Sequence, residues 1–188
     1  MAESVTRHQP ISQISVADYL AQERESPVKR EYVNGEFYAF AGATERHNRV
    51  AGNVFGLLWT RARHGLCRVF MSDIQLEAAP RVFYYPDGMV VCDDADDDPL
   101  IKRRPCLLVE VLSPGTARIE RHEKLLAYQA IDSLRAYLIV DPEMRRVTRF
   151  LRDDNAAWQR ADIIGDGEVA VPCPETTLAL ADVFEGIE

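Results

Sequence analysis

VFYYPDGMVVC, residues 82–92, and PCLLVEVL, residues 105–112, are the stretches of sequence that decide the fold. Both are apolar on both of their alternating faces, which predicts two strands, over 82–92 and 106–112, in a sheet covered on both sides. Each strand contains one carboxylate, Asp87 in the first and Glu110 in the second. Burying an ionised carboxylate is costly unless it is paired or binds a metal. The two stretches therefore predict an acidic pocket of the kind that binds divalent cations.

The sequence before these strands predicts a helix and a hairpin. Ser15 begins the helix signal, and Pro27 ends it. Asn34-Gly35 then lies between two alternating runs, which is a strong signal for a two-residue hairpin turn. That turn pairs Val33 with Glu36 and, two residues further from the turn, Glu31 with Tyr38. Glu31 and Glu36 are therefore expected on the same face of the hairpin.

The remaining pattern predicts a mixed α/β domain. Apolar residues at helical spacing predict helices over 44–64 and 118–131, while further strands are expected over 67–78 and 135–140. A second hairpin is expected from 145–152 and 158–164, around Asp153-Asp154-Asn155. We therefore expect one domain over residues 1–188, with a flexible segment at 1–14 and helices packed against a central mixed sheet.

Composition limits the classes of function. The 188 residues are 47% hydrophobic and have a net charge of −8, which argues mildly against a generic nucleic-acid binder. Five aspartates lie between residues 93 and 98, whereas basic residues cluster within 102–104, 118–124 and 145–152, so local basic surface is expected. No apolar run reaches the roughly 18 residues of a membrane span, and the polar N-terminus has no signal-peptide core. A cytoplasmic location without a membrane partner is expected.

The four cysteines do not have the spacing of a sequence-encoded zinc site. They are Cys67, Cys92, Cys106 and Cys173, and none lies two to four residues from another. Most of them lie in or beside apolar strands. The sequence therefore predicts reduced and mostly buried thiols.

Several side chains could take part in chemistry at the acidic pocket. Asp87 and Glu110 could hold one hard cation such as magnesium, and a nearby lysine could orient an attacking water or neutralise a phosphate. Lys124, in the helix that follows the Glu110 strand, could reach back to that strand. The full candidate set is Glu31, Glu36, His47, Asp87, Glu110 and Lys124.

Each candidate also has an ordinary structural interpretation. Asp87, after Pro86, could be a strand-entry turn residue, and Glu110 could form a buried ion pair with an arginine. Lys124 could pair with Glu120 in the favourable i to i+4 order. The other three have similar alternatives: His47 as a helix-start or packing residue, and Glu31 and Glu36 as solvated hairpin positions.

The order and spacing of several motifs resemble a known family. Tyr85-Pro86-Asp87, then the segment from Val109 to Pro114, then Glu123-Lys124-Leu125 with Tyr128, resemble the Uma-type putative restriction endonucleases of bacteria. That family belongs to the PD-(D/E)XK nuclease superfamily. The resemblance extends to the Glu31–Glu36 hairpin, to His47 and to the strand at 135–141, and it covers roughly residues 16–184.

The resemblance implies a restriction-endonuclease-like core and a metal site. Asp87, Glu110 and the backbone carbonyl of Val111 would bind Mg²⁺, for which Mn²⁺ could substitute. The superfamily lysine two residues after the glutamate is replaced by Leu112, and Lys124 matches the relocated lysine of this family.

Further residues are implied around that metal. Glu31, Glu36 and His47 would line the pocket, with Tyr128 as an additional site residue, and either glutamate could face the metal. DNA is the implied substrate, and a homodimer is compatible with the family.

Two alternatives to the nuclease function remain open. One is an inactive nucleic-acid- or protein-binding module on a nuclease scaffold, and the other is a glycoside hydrolase with two carboxylates.

Overall fold

The computed structural model describes residues 13–39, 44–113 and 119–187, and for 119–122 the backbone alone. The predicted flexibility of the first residues therefore falls largely outside the described part, as do the chain break at Pro114-Gly115 and the helix start at Arg118. The helices are α1 (Val16–Glu25), α2 (Glu45–Ala62), α3 (Ile119–Gln129) and α4 (Leu180–Val183). The strands are β1 (Arg30–Val33), β2 (Glu36–Ala39), β3 (Arg68–Met71), β4 (Gln75–Ala79), β5 (Val82–Tyr84), β6 (Gly88–Val91), β7 (Ile101–Lys102), β8 (Leu107–Val111), β9 (Ala136–Asp141), β10 (Arg146–Arg152), β11 (Trp158–Ile164), β12 (Glu168–Pro172) and β13 (Glu175–Ala179).

The strands form three sheets. The central sheet has six strands in the order β11-β10-β9-β8-β6-β3, and it is mixed because β8 and β9 run parallel while the other neighbours are antiparallel. A five-stranded sheet has the order β2-β1-β5-β4-β7, and β12 pairs with β13 alone. No helix in the described ranges is long and apolar enough to cross a membrane.

Local sequence signals explain the first two long helices and the first hairpin. The Ser15 hydroxyl caps α1 by accepting from the Asp18 N–H at 3.1 Å, and the Thr44 hydroxyl caps α2 by accepting from the His47 N–H at 3.2 Å. The β1–β2 hairpin has the predicted register, with Val33 opposite Glu36. Its turn uses positive φ at Asn34 (52°) and Gly35 (107°), as a primed turn requires.

The prediction of a single strand over 82–92 is wrong. The chain forms β5 in the five-stranded sheet, leaves it at Tyr85-Pro86-Asp87, and then forms β6 in the central sheet. Pro86 has no N–H to donate to a ladder, so a break at this point costs no strand hydrogen bond. The single strand predicted over 67–78 is likewise wrong, because a turn at Ser72, whose φ is 27°, separates β3 from β4. Asp87 therefore lies where the chain crosses between two sheets.

The two faces of the central sheet pack against different helices. On one face, Leu107 and Val109 of β8 pack in a core with Val54 and Leu58 of α2. On the other face, Leu108 packs in a core that includes Tyr128 of α3. Because side chains alternate along a strand, Glu110 shares the face of Leu108 and points towards α3.

Several charged side chains around residues 93–104 form ion pairs. The Arg103 guanidinium contacts Glu77 at 2.6 Å and Asp98 at 3.4 Å, and that of Arg104 contacts Asp93 at 2.9 Å. The two arginines of the basic cluster at 102–104 are therefore neutralised by neighbouring acids, while Lys102 donates to the backbone carbonyls of Asp96 and Asp98. The acidic run and this cluster fold back on each other instead of presenting two separate charged surfaces.

The prediction of reduced thiols is wrong, because the described cysteines form two disulfides. The structure joins Cys67 to Cys92 and Cys106 to Cys173, and no described cysteine is free. Spacing along the chain could not show this, because the partners are 25 and 67 residues apart. Strand pairing brings Cys67 to Cys92, and packing of the β12–β13 hairpin on the core brings Cys173 to Cys106.

Candidate active site

Asp87 is a buried and anchored carboxylate. Only 4% of the residue is exposed. Its Oδ2 accepts a hydrogen bond from the backbone N–H of Val111 at 2.7 Å and lies 3.2 Å from Nε2 of His47. Because Val111 follows Glu110, this bond fixes Asp87 beside the end of the strand that carries the second carboxylate. Asp87 does precede β6, but it is not a solvated turn residue.

Glu110 lies at the centre of a second group on the α3 face of the sheet. Its Oε1 accepts from the Tyr128 hydroxyl at 2.7 Å and lies 3.2 Å from Nζ of Lys124. The same ammonium group lies 2.8 Å from Oε1 of Glu31. Lys124 thus bridges a carboxylate of the central sheet and one of the hairpin, and no arginine takes this place beside Glu110 among the contacts of the described residues. The Glu120 side chain, the alternative partner, lies outside what the structure describes.

Burial and crowding of acids control the ionisation of this group. Burial first, and then the nearby charges of Asp87 and Glu31, raise the pKa of Glu110 to about 7, against the opposing pull of Lys124. Burial alone would lower the pKa of Lys124, but the carboxylates of Glu110 and Glu31 raise it above its ordinary value. The lysine is therefore charged at neutral pH, whereas Glu110 is only partly ionised there.

His47 links α2 to the same site. Its hydrogen bond with Asp87 raises the pKa of the imidazole, while burial acts in the opposite direction and the Val111 backbone adds to the rise. The N-cap of α2 fixes the histidine in the first helical turn. His47 is thus a buried partner of Asp87, which goes beyond a helix-start role.

Tyrosines line one side of the site, and of these the sequence predicted only Tyr128 as a site residue. Lys124 Nζ lies 5.3 Å from the centre of the Tyr84 ring, and Tyr84 meets Tyr128 edge to face with ring centres 5.6 Å apart. The Tyr85 backbone N–H donates to Oε1 of Glu31 at 3.2 Å. Strand alternation in VFYY could have placed Tyr84 on the core face, but nothing local linked it to the lysine.

Glu36 lies apart from this group. It is exposed, and its Oε2 accepts from the Tyr38 hydroxyl at 2.8 Å. Glu31 and Glu36 have the predicted register on the hairpin, but Glu36 is next to the turn. Of the two glutamates, the structure brings Glu31 to Lys124 and leaves Glu36 in solvent.

The donor set suits a hard divalent cation. Asp87 and Glu110 supply carboxylate oxygens, and the Val111 carbonyl belongs to the same short segment of β8. Burial and neighbouring acids raise the pKa of Glu110. The positive charge of a bound cation would oppose both effects and favour the ionised carboxylate. Oxygen ligands of this kind match magnesium and manganese.

The family of the chain follows from comparison with known proteins. Residues 16–182 match the family model described as Uma2, putative restriction endonuclease. The chain belongs to the Uma2 family. The match confirms the resemblance that the motifs around Asp87, Glu110 and Lys124 indicated.

Known relatives and one solved structure agree with this assignment. Two proteins of Synechocystis sp., the uncharacterized proteins sll1609 and slr1290, are each 29% identical, over 81% and 79% of this chain and 89% and 80% of their own lengths. The crystal structure of a putative nuclease belonging to DUF820 from Anabaena variabilis superposes with a TM-score of 0.77 at 16% identity, covering 93% of this chain and 99% of that one. The predicted α/β fold class is thereby confirmed. Family and fold together indicate a restriction-endonuclease-like nuclease.

Proposed function

We propose that this Uma2 protein is a magnesium-dependent endonuclease that hydrolyses phosphodiester bonds in DNA. The observation that carries the proposal is the partly buried ammonium of Lys124 between Glu110 and Glu31, at 3.2 and 2.8 Å, together with an Asp87 anchored to the backbone of Val111. Two carboxylates and one lysine, held at the start of β6, on β8 and on α3, are the groups that metal-assisted phosphodiester hydrolysis needs. Family membership supports the same chemistry.

In this proposal Asp87, Glu110 and the Val111 carbonyl hold the cation. Bound there, Mg²⁺ or Mn²⁺ would lower the pKa of a water molecule and stabilise negative charge on the phosphate. Lys124 then orients the attacking water or neutralises a phosphate oxygen. In the metal-free protein the carboxylates of Glu110 and Glu31 raise the pKa of its ammonium, so the lysine carries a positive charge.

The remaining site residues act by positioning. Tyr128 directs Oε1 of Glu110 through its hydroxyl, and His47 directs Oδ2 of Asp87 through Nε2. Such supporting hydrogen bonds typically tune metal affinity and activity 10- to 100-fold. Because Glu36 is exposed and bonded to Tyr38, it has no part in the proposed chemistry.

A plasmid-cleavage assay tests the proposal. We expect nicking or linearisation of supercoiled DNA with Mg²⁺ or Mn²⁺ and none with a chelator. Asp87→Asn and Lys124→Ala should each lose at least about 100-fold in rate. Glu36→Gln is the matched control, an acidic residue of the same hairpin, and should cleave like the unaltered protein. Cleavage by Lys124→Ala at the original rate would contradict the assigned role.

The same assay separates the enzyme from the binding-module alternative. A protein that binds Mn²⁺ at Asp87 and Glu110 but cleaves neither duplex nor single-stranded DNA would be a binding module on a nuclease scaffold. The net charge of −8 and the neutralised cluster at 102–104 are the observations that favour this second candidate.

A further inference from the structure

The four cysteines converge at one end of the central sheet, although they are spread along the chain. Cys67 immediately precedes β3 and Cys92 immediately follows β6, so the pairing of Arg68 with Val91 places the two side by side. Cys106 immediately precedes β8, and its N–H donates to the Val90 carbonyl at 2.8 Å. Three neighbouring strands thus bring three cysteines together at their ends.

The fourth cysteine comes from a different sheet. Cys173 lies in the turn between β12 and β13, and this hairpin packs into the apolar core that also contains Val109 and Leu58. The core lies on the α2 face of the sheet, whereas Lys124 and Glu110 lie towards α3. The cysteine cluster is therefore separate from the candidate active site.

A sulfur of one disulfide is in contact with a sulfur of the other. Sγ of Cys92 lies 3.3 Å from Sγ of Cys106, and the sulfurs of Cys92, Cys106 and Cys173 all lie within 4.8 Å of one another. Cys67 is bonded to Cys92. Two independent disulfides have no need to be in contact, whereas the ligands of a single metal ion must be.

We propose that these four cysteines, when reduced, bind one zinc ion as a tetrahedral tetrathiolate. Zn–S bonds of about 2.3 Å place ligand sulfurs roughly 3.8 Å apart. The contact between Cys92 and Cys106 is already close to this separation. Reduction frees the sulfurs of each bonded pair to move apart to it, and Cys67, which lies outside the group of three, would turn towards that group. Each disulfide takes up two electrons and two protons from a dithiol reductant to give two thiols. The four thiols then release four protons as they bind Zn²⁺.

The surroundings fit a structural zinc site. Cys106 and Cys173 are buried, at 9% and 8% exposure, while Cys67 and Cys92 are partly buried, so most of the site is closed to solvent. A zinc tetrathiolate carries a net charge of −2. Arg135 donates its backbone N–H to the Cys106 carbonyl at 3.0 Å, and Arg61, Arg135 and Arg149 line a cavity that also includes the residue before Cys173. The ion would tie the β12–β13 hairpin to the central sheet.

Metal content and a cobalt spectrum test this proposal on the full chain. The protein is purified with a thiol reductant and without chelator, and zinc is measured by plasma mass spectrometry after dialysis. We expect about one zinc per chain and protection of four thiols from alkylation. Cobalt added in place of zinc should give the intense thiolate-to-metal charge-transfer bands of a tetrahedral sulfur site.

Variants connect the signal to these residues. Cys106→Ser and Cys173→Ser should lose the zinc, whereas the double variant Asp87→Asn, Glu110→Gln should keep it, which distinguishes this site from the proposed magnesium site. Where a serine variant does not fold, the cobalt spectrum of the unaltered protein decides, because oxygen ligands do not give thiolate bands. Fully reduced protein that binds no zinc, or cobalt binding without thiolate bands, would overturn the proposal.

Discussion

The ionisation of Glu110 affects the stability of the metal-free protein. Its pKa is about 7 in the folded chain against an ordinary value of 4.5. Between these pH values the folded state holds more protons than the unfolded state, so stability falls as pH rises. His47, whose pKa is also raised, contributes stability that is present below its ordinary value of 6.5 and is lost at higher pH. Both residues therefore act in the same direction.

We predict that the free energy of unfolding of the metal-free protein decreases from pH 5 to pH 8. Glu110 contributes at most roughly 3 kcal/mol to this decrease, since one pKa unit corresponds to about 1.4 kcal/mol. Glu110→Gln cannot ionise and should flatten the profile. Urea unfolding with chelator present, at several pH values, measures it. An unchanged slope in Glu110→Gln would show that the carboxyl is not the titrating group.

Tyr128 should tune the metal site without belonging to it. Tyr128→Phe removes the hydroxyl that donates to Oε1 of Glu110 at 2.7 Å, and we expect affinity for Mn²⁺ to fall about 10-fold. Isothermal titration measures the affinity. Tyr38→Phe is the matched control, because Tyr38 donates to the exposed Glu36. Equal affinity in the two variants would argue against a supporting role for Tyr128.

At the scale of elements, the β1–β2 hairpin depends on a glycine that presents Glu31 to the site. Gly35 has a φ of 107°, and an added Cβ would come within 2.7 Å of the Gln13 side chain. Gly35→Ala should therefore destabilise the protein by about 1–2 kcal/mol. Thermal or urea unfolding measures the change.

Gly52 supplies the contrasting control. It lies in α2 with nothing within 4 Å of an added Cβ. Gly52→Ala should stabilise the protein by up to about 1 kcal/mol, because alanine is the better helix former. If Gly35→Ala and Gly52→Ala changed stability in the same direction, the turn would not require the positive φ that is inferred for residue 35.

Elements governed by local chemistry could be predicted from the sequence, and elements governed by distant partners could not. The helix start at Ser15, the register around Asn34-Gly35 and strand β11 follow from capping, turn and alternation rules. The division of residues 82–92 between two sheets does not, because the partners of β5 and β6 are set by the whole topology.

The candidate site shows the same limit. Asp87 and Glu110 could be recognised because a carboxylate in an apolar strand needs a partner. Lys124 could be linked to them only through the family pattern, since it lies on another element and reaches both Glu110 and Glu31 across the fold. The convergence of the cysteines could not be predicted for the same reason, because strand pairing and the packing of the β12–β13 hairpin bring together segments that are distant in sequence.

At the scale of the whole molecule, metal binding should compensate for the buried acids. Binding must displace the proton that Glu110 holds below about pH 7. We therefore predict that a fixed concentration of Mn²⁺ raises the melting temperature more at pH 8 than at pH 6, because apparent affinity sets the stabilisation. Differential scanning fluorimetry measures the shift. Asp87→Asn should abolish it, and a larger shift at the lower pH would contradict the ionisation assigned to Glu110.

The central claim is that Asp87 and Glu110 hold one divalent cation within reach of Lys124. A crystal soaked in Mn²⁺, with anomalous diffraction collected at the manganese edge, tests it most directly. We predict one manganese peak bound by the carboxylates of Asp87 and Glu110 and by the Val111 carbonyl, with Lys124 still paired to Glu31. A fully occupied manganese site elsewhere, with Asp87 still bonded only to His47 and Val111, would contradict the account.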